Sequence, residues 1–499
     1  MSATAITALG TAAAAGAGAP AGLADHVNVP VPAHQDSVLP NGLKLILVPN
    51  HDIPLVACNL LLRGGARLDP AGRSGTAALA ADLLTHGAGA RDARAFAEAV
   101  EGAGGNLDAS ARGEFLQVQA QFLARDSRLM LELLADAMLR PHFAPADFSE
   151  LRRRRIEELK ATKDSSPEAL LSSYGRALLF AGHPYGRAIG GSEQSLARIT
   201  RADVTRYYAL QSGADRATLV IAGDFDPTRI AADVAKIFGG WARASTPLPP
   251  LPTPVRVSGR HVLLVDAPGA AQSYFWIANV GVPRRYPQRA ALNIANMAFG
   301  GSLGSLLNQQ LRVKAGLTYD ASSRFTRGAV AGEFAISSFT QTDNTGRAIE
   351  LALATLAELK QNVLDGAAID SARNYLLGQY PLAFETSGDW AIALGDLDLY
   401  DLPDSYIGQF GTDLLTVDAA AVRAVVDTAF PTPADLDIVV IGDAARIRDS
   451  LAKFGPVTTM ALADGDFTPG SDEQRRPARK PATGKSPAGK SPTGKSGRS

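Results

Sequence analysis

Residues 219–224 read LVIAGD and residues 438–443 read IVVIGD. Each is a short apolar run rich in β-branched residues and stopped by glycine, the pattern of a buried strand. They stand 219 positions apart. Working outward from them, VLLV at 262–265 answers LILV at 45–48 with an offset of 217, and the apolar helical stripe around Leu351 answers that around Leu133 with an offset of 218. YDAS at 319–322 answers LDAS at 107–110 with an offset of 212. Matches in the same order at nearly one offset indicate two homologous α+β domains of about 210 residues each.

A chain of 499 residues is too long for one core, and 46% hydrophobic with 20% charged residues is an ordinary globular composition. The single cysteine, Cys58, lies in the apolar run 55–62, which excludes an internal disulfide framework and a thiolate zinc cage and reads as a small core residue. The net charge of −1 is unevenly spread: residues 475–499 hold eight basic and no acidic side chains, leaving 41 basic against 50 acidic in the body. An acidic body argues against nucleic acid as a partner. No apolar run approaches the roughly 18–20 residues of a membrane span. The first 24 residues are uncharged and Ala/Gly-rich, with the look of a signal-peptide end but no positive start, so export to a periplasm-like compartment is expected, with the cytoplasm as the alternative.

The expected organisation is a leader or arm over 1–37, a first domain over 38–245, a Pro-rich semi-rigid linker over 246–257, a second domain over 258–462 and a basic disordered tail over 463–499. Within the first domain, 38–48 holds an Asn41-Gly42 turn and a strand, 54–62 a second strand, and 75–86, 93–102, 127–139, 145–163 and 169–180 helices. Residues 106–123 read as one long extended, alternating stretch.

The helix GTAALAADLLTHG at 75–87 is led by the potential caps Ser74 and Thr76 and closed by Gly87. Positions 78 and 82 lie one turn apart on one face, where a helix can present two metal ligands around a carboxylate. They are Ala78 and Asp82, with Ala81 between, so no metal site is expected there. His86, one turn beyond Asp82, reads as a polar helix end, and none of the seven histidines has another three to five residues away. No nucleophile elbow, phosphate loop or dinucleotide fingerprint occurs. Glu157-Glu158 in RRRRIEELK reads as a solvated charged face.

The ordered combination of NGLKLILVPNHDIPLV, GARLDPAGRSGTAALAADLLTHGAGARD, FAGHPYGRAIGG and LVIAGDFDP resembles the M16 (pitrilysin-like) metallopeptidases, M16B type. The resemblance covers 38 to about 460. It implies two M16-type (LuxS/metallopeptidase-like) domains, each an antiparallel-rich sheet covered by helices. The family's inverted zinc motif, His-x-x-Glu-His plus a distant glutamate, falls here on Ala78, Ala81, Asp82 and Glu158, with three of four groups absent. LRVKAGLTY at 311–319 resembles the family's L-R-x-x-x-G-L-x-Y segment, and Arg312 and Tyr319 match its pair. GGSLGS, with Gly300, Gly301, Ser302, Gly304 and Ser305, resembles the Gly-rich segment that touches substrate in non-catalytic subunits.

The resemblance thus implies a non-catalytic subunit, like the alpha-type subunits of the processing peptidases. It would bind no cofactor itself and would pair with a homologous zinc-bearing subunit around an unfolded peptide. Arg312 would place its planar fork on a substrate carbonyl and Tyr319 would donate to the oxyanion. The alternatives are a scaffold subunit of a larger complex and a stand-alone peptide-binding protein.

Overall fold

The computed structural model describes residues 27–362 and 364–469. The uncharged first stretch and most of the basic tail lie outside the described residues. The first half builds a six-stranded sheet from β1 (Gln35–Val38), β2 (Lys44–Pro49), β3 (Leu55–Arg63), β4 (Asn106–Ala111), β5 (Phe115–Leu123) and β6 (Ala217–Gly223). The second builds another from β7 (Arg260–Asp266), β8 (Gln272–Val280), β9 (Ala321–Phe325), β10 (Glu333–Gln341), β11 (Leu436–Gly442) and β12 (Val457–Ala461). The orders are β1-β2-β6-β3-β5-β4 and β12-β7-β11-β8-β10-β9. Two similar α+β units are therefore present, and their sheets match strand for strand except at one edge. There β1 runs antiparallel to β2, whereas β12 runs parallel to β7.

The extended stretch expected over 106–123 is a hairpin. Its strands β4 and β5 pair antiparallel, the Arg112 amide donates to the Phe115 carbonyl at the turn, and the carbonyls of residues 112 and 114 accept from the Ala66 and Gly64 amides. The sequence match of YDAS to LDAS is also out of register. Leu107 faces Ala120 in the first sheet, and the corresponding pair in the second is Ala321 with Ser338, so Tyr319 lies two residues before the strand.

Both sheets are apolar on both faces, and each half lacks the helices to cover the second one. The Thr76–Leu84 and Ser127–Leu139 helices cover one face of the first sheet. Its other face, with Ile46, Val48, Val220 and Ala222, is covered by Ala391, Leu394 and Leu397 of the Ser387–Leu399 helix, which belongs to the second half. Reciprocally, the Leu171–Leu179 helix of the first half packs Tyr174, Ala177 and Leu179 on Leu263, Val265, Trp276 and Val439 of the second sheet. Each fully buried Val, Leu or Ile in these layers contributes about 1.5–3 kcal/mol. Glu114, in the β4–β5 turn, ties the seam further. It accepts from Tyr185 Oη at 2.5 Å, from Tyr400 Oη at 2.9 Å and from the Ala329 amide at 3.0 Å.

Packing extends past the expected boundaries. In the supposed leader, Asn28 exchanges bonds with Thr412 (2.7 and 2.9 Å), Val29 is buried and β1 pairs with β2, so residues 27–37 are part of the fold. In the supposed tail, Phe467 is buried edge-on against Tyr174 and the Gly465 carbonyl accepts from the Gln194 amide, so residues 463–469 also pack. The linker lies along the body, its Pro252 carbonyl 2.7 Å from His183 Nε2. Cys58 is buried, and burial pushes its thiol up to about 12. Among the described residues one helical run, Arg289–Lys314, is long and apolar enough to cross a membrane; it is largely the core helix of the second half.

The two exchanged helices approach their sheets at glycine. A Cβ on Gly175 would lie 2.6 Å from Trp276 Cε3, and one on Gly395 2.8 Å from Asn59 Nδ2. Either Gly→Ala change is expected to cost about 1–3 kcal/mol by overpacking, measured by urea unfolding. An unchanged midpoint for both would mean that the helices do not depend on this close approach.

Candidate functional site

The Thr76–Leu84 helix starts differently from its sequence reading. Gly75 is the N-cap with φ 97°, no side-chain cap comes from Ser74 or Thr76, and the missing acceptors are supplied from outside the helix by Asp69. Its Oδ2 accepts from the Gly75 amide at 2.7 Å and its Oδ1 from the Ala77 amide at 2.8 Å. Asp69 is almost fully buried, and burial pushes its carboxyl up to about 7 against the pull of these amides and of Arg187. The cap anchors the helix from below and leaves its far end facing a cleft of about 250 Å³.

That cleft gathers Asp82, His86 and Glu158 with Asp108, Arg154 and Arg155. Ala78 and Ala81 are buried in the core layer and contribute no donor atom. The dominant interaction is a two-pronged ion pair: Arg155 Nε donates to Asp82 Oδ2 at 2.6 Å and Nη2 to Oδ1 at 2.8 Å. Both side chains are largely shielded, at 27% and 20% exposure. Burial works against the Arg155 charge, but Asp82 and then Glu158 outweigh it and hold the guanidinium above its ordinary value. His86 Nδ1 lies 2.8 Å from the Asp82 carbonyl, closing the helix end. Glu158 is exposed and 3.5 Å from Arg154, as a solvated face requires.

These residues do not fit a zinc ion. Two motif positions are alanine, and both oxygens of the one carboxylate on the helix are bonded to a permanent cation. Among the described residues no three His, Cys, Asp or Glu side chains come together as a metal-holding group. Arg155 and Asp108 escaped the sequence reading. Arg155 sits inside RRRRIEELK, where four successive arginines look alike, and its spacing of one turn before Glu158 was the only available signal.

Arg312 and Tyr319 lie elsewhere, in and just after the last turn of the core helical run of the second half. Arg312 is in the π-helical turn Gln309–Lys314, a type of distortion that recurs at functional sites. Gly316, at φ 61°, reverses the chain so that Tyr319 returns to Arg312. The guanidinium carbon sits 4.7 Å from the Tyr319 ring centroid, and Tyr319 is 73% exposed. The structure brings these two together but not with Asp82. The Gly-rich segment divides. Gly300 is buried, a Cβ there lying 2.5 Å from Ser323 Oγ, and Ser305 is buried at the start of the next helical turn, so these two positions serve packing. Gly301, Leu303 and Gly304 are exposed.

Arg155→Ala leaves the Asp82 carboxylate half-buried and unpaired, with an expected loss of about 1–3 kcal/mol. A double-mutant cycle with Asp82→Ala should recover most of that loss, and independent effects would mean the pair does not couple the two helices. Asp69 gives a pH signature. Its folded value of about 7 lies above the ordinary 3.8, so the folded state holds a proton that the unfolded chain has released between those values. Stability from this group is complete below about 3.8 and is lost as pH rises to about 7. Unfolding curves across that window should show the decline in the wild type and a flatter profile in Asp69→Asn.

Comparison with known proteins agrees with this architecture. Residues 44–193 match the model of Insulinase (Peptidase family M16), and residues 198–376 match that of the Peptidase M16 inactive domain. A Mycobacterium leprae protein described as an uncharacterized zinc protease is 27% identical over 364 residues, 73% of this chain and 82% of the relative. The probable mitochondrial-processing peptidase subunit beta of Arabidopsis thaliana is 25% identical over 58% of this chain and 57% of its own. Cytochrome b-c1 complex subunit 1 of Homo sapiens is 26% identical over 54% and 56%. The crystal structure of a peptidase M16 inactive domain from Pseudomonas fluorescens superposes with a TM-score of 0.76 at 23% identity, over 82% of this chain and 98% of that one. The fold, the two domain matches and the degenerate motif position on the Thr76–Leu84 helix together identify the chain as a member of the M16 peptidase family.

Proposed function

We propose that this chain is the non-catalytic subunit of a heterodimeric M16B-type zinc peptidase. The observation that carries this reading is the Asp82–Arg155 pair. A carboxylate at a metal-ligand position is committed to a guanidinium, while alanines stand where a second ligand and a general base would be needed. The chain brings no zinc of its own in this reading, and the ion belongs to a homologous partner. Similarity to chains named as a processing-peptidase subunit and a cytochrome b-c1 complex subunit supports a life in an assembly.

In the heterodimer an unfolded peptide lies as a strand along a sheet edge of the zinc-bearing subunit, held by main-chain pairing with loose sequence preference. This chain supplies Arg312 and Tyr319 from the opposite wall. The guanidinium fork binds a substrate carbonyl, and the Tyr319 hydroxyl donates to the oxyanion that develops when water attacks the scissile bond. Stacking of Arg312 on Tyr319 supports this role, because it orients both groups before substrate arrives. Exposed Gly301 and Gly304 leave room for a peptide backbone beside them.

Likeness to cytochrome b-c1 complex subunit 1 favours a second reading, a scaffold subunit with no part in hydrolysis. The two readings separate on one experiment. This chain is mixed with any M16 relative from the same genome found to carry an intact His-x-x-Glu-His, and cleavage of an unfolded peptide is followed. Neither chain alone should cleave and the mixture should. Tyr319→Phe or Arg312→Ala should lower kcat in the mixture by about 10- to 1000-fold. Chelator-sensitive cleavage by this chain alone would overturn the subunit reading; full activity of the mixture with both substitutions would remove the roles of Arg312 and Tyr319 while leaving the heterodimer intact, and a partner equally active without this chain would favour the scaffold.

A further inference from the structure

A cavity of about 450 Å³ opens in the helical layer of the second half, beside the exchanged Ser387–Leu399 helix, and neither Asp82 nor Arg312 lines it. Three arginines line it, Arg284, Arg289 and Arg327. Two of them flank one ring: the guanidinium carbons of Arg284 and Arg289 lie 5.7 and 3.5 Å from the Tyr406 centroid. Arg284 is paired with Asp396 at 2.9 Å, yet its Nε is buried without a hydrogen-bond partner. Arg289 donates to the Tyr406 carbonyl and stands 3.7 Å from Asp413.

Arg327 has no such relief. Its Nη1 is buried with no hydrogen-bond partner, and among the described residues no carboxylate pairs with it. Burial of this partly shielded side chain depresses its basicity; Tyr406 opposes the effect, and Arg284 and Arg289 add to it. The cavity's other acid, Asp389, spends Oδ2 on the Thr386 amide and hydroxyl as a helix cap. A buried, unpaired guanidinium is costly unless something anionic meets it. Apart from Asn293 and Gln379, the rest of the lining is apolar or aromatic, as at Leu376, Tyr380, Phe384 and Phe410.

We propose that this cavity is a binding site for a small anionic amphiphile, a single carboxylate or phosphate head on an apolar body, with Arg327 as the principal contact of the head. Its volume is in the range of small-molecule pockets, and its few convergent charges on an apolar wall match what such sites require. Planar guanidinium forks suit either head group. The site does not depend on the subunit reading.

Isothermal titration of the full chain with decanoate, decyl phosphate, decanol and inorganic phosphate tests this. Saturable binding of decanoate or decyl phosphate is expected, with decanol and inorganic phosphate each weaker by about tenfold or more. The ratio of the two amphiphiles identifies the preferred head. Arg327→Met should weaken the amphiphile by about tenfold or more. Ala383→Trp, an exposed rim position whose change disturbs no charge, should block entry and serves as the second variant should Arg327→Met not fold. Decanol binding as tightly as decanoate, inorganic phosphate as tightly as decyl phosphate, or wild-type affinity in the folded variants would overturn the proposal.

Discussion

Neither half of this protein can bury its own sheet. β3 and β6 are apolar at nearly every position, so they expose hydrophobic side chains on two faces, and the helices that follow in sequence cover only one. The solution is exchange: the Leu171–Leu179 helix crosses to the second sheet and the Ser387–Leu399 helix to the first. The glycines at the two closest approaches, Gly175 and Gly395, occupy matching places in the repeat. A chain built this way cannot open like two beads on a string, because separating the halves would return two hydrophobic faces to water. The firm seam also fixes where each half presents its chemistry.

The same exchange accounts for what lies at the sheet edges. The outer edges are closed by β1 and β12, which come from opposite ends of the fold and so run in opposite senses against β2 and β7. β4 and β9 form the opposite edges, each paired on one side only among the described residues. β4 is short and polar, and its Asp108 lines the cleft beside Asp82, which is how proteins discourage indiscriminate strand addition at a free edge.

Much of this was legible in the sequence, wherever a signal was local or periodic. The strands at 45–48, 219–223 and 438–442 and the helix at 127–139 follow from apolar runs and stripes, and the repeat offsets carried the two-domain plan. What escaped was non-local. Asp69 caps a helix from outside its first turn, Arg155 reaches across to Asp82 from a helix 73 residues away, and no periodicity announces that a helix will cover the other half's sheet. The hairpin at 112–114 escaped because an alternating pattern continues through it. Gly300 and Ser305 were singled out by residue type, but their role is set by Ser323 and the helical turn packed behind them.

In the proposed reading a guanidinium stands where a metal would bind, and that is more than a deletion. A bound ion holds together the elements that supply its ligands, and its loss leaves their carboxylates facing one another. Arg155 keeps the Thr76–Leu84 and Pro145–Ser165 helices connected with one fixed charge and two parallel hydrogen bonds. The exchange is uneven in strength, since a structural zinc can contribute about 10–16 kcal/mol to folding where a half-buried ion pair contributes far less. It is also less conditional, because an arginine stays protonated at any pH the fold survives and no chelator removes it. The same charge repels a divalent cation approaching Asp82. Restoring ligand side chains at 78, 81 and 82 would therefore rebuild only the letters of a metal site, with a cation still seated against it.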